Sequence, residues 1–181
     1  MLKNHQTSST HRHSFLRFIL IFATLIIVFY ATTFTPTFNN SFFPAYLKFQ
    51  AKISSSALNM LGENTHVTGT YISSAKFAVN MVWGCDALEP SALFIAAVLA
   101  FPAPVLLKIA GILIGTFCLL FLNLVRIVSL FLIGVYYPDV FDVLHLDIWQ
   151  ILFILLTLVF FLIWLQWITP RRTLEVKNVS P

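Results

Sequence analysis

Charge is what this sequence has least of. Of its 181 residues only 10% are Asp, Glu, Lys or Arg while 59% are hydrophobic, against a charged share of about 25% in ordinary soluble domains. One apolar run after another is long enough to cross hydrocarbon, so the chain reads as an integral membrane protein, a helix bundle in lipid. The lipid bilayer is its first partner. The net charge of +4 sits on residues scattered at segment ends. With no basic stripe and no interleaved aromatics, there is no footprint for nucleic acid. Cysteine is scarce too: Cys85 and Cys118 are too few for a disulfide framework. One well-placed histidine and one candidate cysteine make no zinc site, and no metal or cofactor is expected. Inverted repeats and paired broken spans, the marks of secondary transporters, are not evident either.

What is present falls into segments. Residues 1–14, "MLKNHQTSSTHRHS", form a basic tail before an apolar run from about Phe18 to Phe34. No small-x-small cleavage site follows, so this run is expected to stay as a first transmembrane helix. In "PAYLKFQAKISSSALNMLG", Tyr46, Phe49, Ile53, Ala57 and Met60 recur at helical spacing with Lys48 and Lys52 between them. That pattern fits an amphipathic helix lying at the interface, and equally a helix packed on the bundle. Residues 67–83 change to near-alternation, which predicts a short β-hairpin turning at Ser73, Ser74 and Ala75. Further spans run from Ala87 to Phe101, from about Ile109 to Val135 and from Ile148 to Ile168.

The fold class expected is therefore an all-α membrane protein of about four transmembrane helices. It forms a single domain, 1–181, whose loop region 35–84 carries the amphipathic helix and the hairpin. Basic residues set its orientation. The tails (1–14 and 169–181), Arg17 and the turn at Lys108 hold Lys3, Arg12, Arg17, Lys108, Arg171, Arg172 and Lys177; the opposite side holds Lys48, Lys52 and Lys76. Both termini then face the cytoplasm, and Cys85, the hairpin and the acidic loop "YYPDVFDVLHLD" face outward.

Three residues stand out at that outer level. An arginine inside an apolar span costs about 2.5 to 3.5 kcal/mol on insertion scales, so Arg126, in "LNLVRIVSL", is expected to face the protein interior or a watery cleft. Asn123 and Ser129 share its helix face. Beside this functional reading stands a structural one, an arginine that snorkels or ties helices together. His145, in "DVLHLDIWQ", opens the last span with a near-neutral pKa suited to proton transfer, although a lone histidine is most often a surface residue. Cys85 opens the second span in "WGCDALEPSA". Asp86 and Glu89 have capping-box spacing, and Pro90 equally suits a first helical position with Glu89 as cap; either register sets Cys85 just before a helix N-terminus. Unpaired N–H groups there favour a thiolate, Arg126 or a protonated His145 would add to the effect, and Asp86 and Glu89 oppose it. Cys118, deep in the third span, reads as inert and lies at the wrong depth to bridge to Cys85. A thiol, a cation and an acid-base group delivered by three spans form the set that acyl transfer requires.

In order and topology these elements resemble the exosortase and archaeosortase family of membrane cysteine transpeptidases, over roughly residues 15–170. The likeness rests on a cysteine opening a span ("GCDALEPSALF"), an N-x-x-R-I element in the next ("NLVRIVSLFLIG") and a histidine before another ("FDVLHLDIWQ"). The small size and the Cys-x-x-x-Glu element, here Cys85 and Glu89, are most similar to the short subtype called exosortase H. The resemblance implies a catalytic set of Cys85, Arg126 and His145, with Glu89 and Asn123 in support, in a bacterial inner membrane. It implies as substrates exported proteins that end in a short PEP-CTERM-like motif, a transmembrane helix and a basic tail. Cys85 would form a thioester, His145 would protonate the departing amine, Arg126 would steady the oxyanion, and an acceptor amine or water would release the product.

The chain departs from the family in two respects. Ala87 stands where a glycine is expected after the cysteine, which leaves the turn beside Cys85 open, and many members have more spans. A reading from another class is a non-catalytic assembly or transport subunit with Arg126 as an interhelical tie.

Overall fold

The structure, a computed structural model, describes the backbone of residues 4–179 and the side chains of residues 13–169 except 146 and 147. The chain is mostly helical. Helix α1 (Asn4–Thr33) is followed by a wide turn (Phe38–Phe42) that runs into α2 (Phe43–Met60). Three short strands come next: β1 (His66–Thr68), β2 (Tyr71–Ser73) and β3 (Ala78–Asn80). Helices α3 (Leu88–Ala100) and α4 (Val105–Tyr136) follow, then a single turn α5 (Phe141–Val143), a wide turn (Leu144–Ile148) and α6 (Trp149–Val179). The tail residues 1–3, 180 and 181 lie outside the described residues.

Among the described residues, three helices are long and apolar enough to cross a membrane: His13–Thr33 within α1, all of α4, and Trp149–Thr169 within α6. The expected second span falls short. Its 13 residues make about 20 Å of helix at ~1.5 Å per residue, against the ~30 Å of a hydrocarbon core. Pro102 and Pro104 end it, because the residue before a proline is pushed out of the helical region. Phe101 is extended at φ −74°, ψ 136°, and Pro104 at φ −56°, ψ 141°.

Helix α3 is nonetheless the hub of the bundle, packed against α1, α4 and α6. Phe94 and Val98 of α3, Leu119 of α4, and Trp164 and Ile168 of α6 form a buried cluster. Two glycines of α4 permit this closeness: a Cβ on Gly111 would collide with Trp164, and one on Gly115 with the Phe94 ring. Bonds between ends set the directions of the helices. The Tyr30 hydroxyl near the end of α1 donates to Glu89 at the start of α3 (3.1 Å), Lys108 at the start of α4 donates to Leu99 O (2.6 Å), and Trp164 Nε1 of α6 donates to Leu107 O (3.0 Å).

A second cluster caps this bundle. Leu47, Ala51 and Leu58 of α2 pack with Ile72, Met81, Cys85, and Ile127 and Phe131 of α4. The inward face of α2 is Leu47, Ala51, Ser54, Ser55 and Leu58. Phe49, Ile53 and Met60 are exposed, Met60 at 89%. The helix thus turns Leu47, Ala51 and Leu58 toward the core and Phe49, Ile53 and Met60 outward, the side an amphipathic helix at the interface would offer to lipid.

The expected hairpin is part of a three-stranded antiparallel sheet in the order β1-β2-β3. Its second turn closes where Ser74 N–H donates to Phe77 O at 2.8 Å, close to the predicted Ser73–Ala75. The first turn, at Gly69 and Thr70, was not anticipated; Gly69 supplies the positive φ of 64° that it needs.

Candidate functional site

The site is built on the turn that joins the sheet to α3. Gly84 (φ 89°) and Ala87 (φ 59°) both lie in left-handed conformations, folding residues 84–87 into a loop around Asp86. The Asp86 carboxylate accepts hydrogen bonds from Leu88 N–H at 2.7 Å and Gly84 N–H at 3.2 Å, while Cys85 N–H donates to Val82 O at 3.1 Å. Neither expected capping register is adopted. The cap position is Ala87, without a side-chain bond, and Glu89 accepts from Tyr30 instead of reaching back along its own chain. The reason is the left-handed residue, which turns the backbone so that Asp86 caps from one position earlier.

Into this turn the structure brings the candidates together. Cys85 Sγ lies 3.7 Å from His145 Nε2, and the imidazole is stacked on Phe141 at 5.5 Å between centroids and 10° between planes. Arg126 is buried. Its Nη1 donates to Gly84 O at 3.0 Å, and its guanidinium lies over the Phe153 ring at 5.5 Å. Asn123, wholly buried, donates through Nδ2 to Cys85 O at 3.0 Å and to Gln50 Oε1 at 2.7 Å. Arg126 Nε and His145 Nδ1 are buried with no hydrogen-bond partner among the described residues. Ser129 is not part of this set: its hydroxyl donates to Arg126 O on its own helix, at 2.9 Å. Cys118 is free, as is Cys85.

Burial governs the charge state here. It pushes the Cys85 thiol up, against the opposing pull of the Arg126 guanidinium, with Asp86 adding to the rise. It also pushes His145 down, helped by repulsion from Arg126 and resisted by Asp142. The resting pair is a thiol beside a neutral imidazole. The thiolate that a helix N-terminus favours is outweighed by desolvation of the sulfur.

Two residues of this network escaped the sequence reading. Gln50 Nε2 donates to Asp86 O at 2.9 Å and also contacts the Tyr46 hydroxyl, which itself donates to Asp86 O at 2.7 Å. Burial pushes the Tyr46 phenol up to about 12, so it stays a neutral donor. The available signal was their i, i+4 spacing on one face of α2.

A cleft of about 290 Å³ opens beside the turn. Gly84, Asp86, Ala87, Glu89 and Arg126 line it, together with mostly apolar side chains of α1, α3 and α6, among them Phe22, Leu93, Ile154 and Leu158. It reaches the turn that carries Cys85, though neither Cys85 nor His145 lines it. Among the described residues no three His, Cys, Asp or Glu side chains cluster to hold a metal ion.

Comparison with known proteins gives no match: no family model fits this sequence, and no curated protein or solved structure is similar to it.

Proposed function

We propose that this chain is a membrane cysteine peptidase or transpeptidase acting on exported proteins that carry a C-terminal motif, a transmembrane helix and a basic tail. The observation that carries the reading is the 3.7 Å approach of Cys85 Sγ to His145 Nε2, two residues from separate segments, with the Arg126 guanidinium held one residue away from the thiol. In this reading the neutral imidazole takes the thiol proton as sulfur attacks the scissile carbonyl. The protonated imidazole then gives that proton to the departing amine, and a thioester joins Cys85 to the upstream fragment. An acceptor amine or water displaces the sulfur. Arg126 is the fixed cation facing the developing oxyanion, and its Nε, without a partner among the described residues, is a donor left over for the substrate. Whether the enzyme hydrolyses or transfers depends on the acceptor.

The proposed membrane arrangement has four crossings in a bacterial inner membrane. Helix α3, about 20 Å long, is extended by four non-helical residues, 101–104, at up to about 3.3 Å each, to near 33 Å. Both termini then lie in the cytoplasm and the Cys85 turn lies outside, where a substrate helix arriving in the membrane plane meets the cleft between α1, α3 and α6.

A second reading has a specific observation behind it. Arg126 joins α4 to the Gly84 carbonyl and to Phe153 of α6, as an interhelical tie in a non-catalytic assembly or transport subunit would. Expression of a tail-bearing exported protein with the wild-type chain or its Cys85→Ala variant separates the two. The peptidase reading expects the substrate to be cut only by the wild type; equal cutting by both would leave the tie.

A further inference from the structure

The thiol-bearing turn is held from α2 as well as from α4. Gln50 uses both ends of its amide: Nε2 donates to Asp86 O at 2.9 Å, and Oε1 accepts from Asn123 Nδ2 at 2.7 Å. The same Asn123 nitrogen donates to Cys85 O at 3.0 Å. Two consecutive backbone carbonyls are thus pinned by one chain of amides, with Tyr46 as a second donor to Asp86 O. The arrangement also selects the Asn123 rotamer. Its donor nitrogen faces Gln50 and Cys85 while its Oδ1 has no partner among the described residues; the flipped amide would set oxygen against the Cys85 carbonyl oxygen. A peptide with both carbonyls fixed has little freedom to swing its sulfur away from His145.

We propose that Gln50 is a positioning residue for Cys85, holding the Cys85–Asp86 backbone directly at Asp86 and through Asn123 at Cys85, so that the thiol stays within reach of His145. The proposal rests on the reading of Cys85 as nucleophile, but the geometry it concerns exists without any substrate.

Alkylation of Cys85 by iodoacetamide in the full-length, detergent-solubilised Cys118→Ala protein tests it. Gln50→Met keeps the volume and removes both bonds. Gln50→Glu keeps the acceptor for Asn123 and regains the donor to Asp86 only when its carboxyl is protonated; the ionisable groups around it are Tyr46, Asp86 and Cys85, then Arg126 and His145. Gln50→Met is expected to slow alkylation by at least about fivefold, the scale of a lost hydrogen bond. Processing of a substrate should then fall in turnover rather than in half-saturating concentration. The rate of Gln50→Glu relative to the parent is expected to rise as pH falls. A Gln50→Met rate within about twofold of the parent, or a Gln50→Glu ratio that is flat with pH, overturns the proposal; should Gln50→Met fail to insert, the Gln50→Glu ratio decides alone. Slowed alkylation in a protein that never cuts any substrate supports the positioning role and counts against the peptidase reading, which keeps the two distinguishable.

Discussion

Ala87 is buried and holds a left-handed φ of 59°, a conformation that costs a residue with a Cβ about 1–2 kcal/mol. Glycine removes that cost but loses about 0.5–1 kcal/mol of chain entropy on folding. Ala87→Gly is therefore expected to stabilise the protein by up to about 1 kcal/mol, a rise of ~2–4 °C in Tm for a chain of this size, measured by thermal unfolding in detergent. A fall in Tm would show that the alanine methyl packs well enough to outweigh the strain. At the same scale, the proposed mechanism requires a neutral His145 to take the thiol proton, and burial with Arg126 holds its pKa below the ordinary value. The rate of substrate cutting should rise with pH through a midpoint below about 6.5 and stay level across neutrality, because the thiol titrates only above its own raised value. An acid limb centred above the ordinary histidine value would contradict this. Cys85, Asn123, Arg126 and His145 were legible in the sequence because each is chemically out of place beside an apolar run. Gln50 and Tyr46 were not, since a glutamine and a tyrosine on an amphipathic helix look solvated until the partner carbonyl is located.

Among the elements, α4 shows how much of the packing depends on what is missing. Gly111 and Gly115 let Trp164 and Phe94 sit directly on the helix backbone. Gly115→Val drives two methyl groups into the Phe94 ring and is expected to destabilise the bundle by about 1–3 kcal/mol, the usual cost of overpacking a core. Thermal unfolding in detergent reads this as a lower Tm, and an unchanged Tm would mean that α3 shifts freely. The long spans were legible from length and hydropathy. The inward side of α2 was not, because Leu47, Ala51 and Leu58 compete with Phe49, Ile53 and Met60 for the core, and only the position of α4 and the sheet decides between them. The strand at β1 is illegible for a related reason: the three residues His66–Thr68 carry too little alternation to announce themselves.

At the scale of the molecule the open quantity is the number of crossings. Among the described residues three helices meet the length for a span, and α3 would reach across only together with residues 101–104. Four crossings place both termini on one side, and three place them on opposite sides. Tags at both ends, exposed to protease in right-side-out and inside-out vesicles, are expected to be cleaved together and only in inside-out vesicles. Cleavage of the two tags in different preparations would remove the fourth crossing. The central claim is tested most directly by looking for the covalent intermediate. Incubated with a tail-bearing substrate, His145→Ala is expected to accumulate an adduct at Cys85, since the ionised fraction of the thiol can still attack slowly, with water protonating the departing amine, while the incoming acceptor has no base to activate it. Intact mass spectrometry should find the upstream fragment bound through a hydroxylamine-sensitive thioester, absent from Cys85→Ala. Substrate cleaved as well by Cys85→Ala as by wild type, with no adduct in any variant, would contradict the cysteine mechanism.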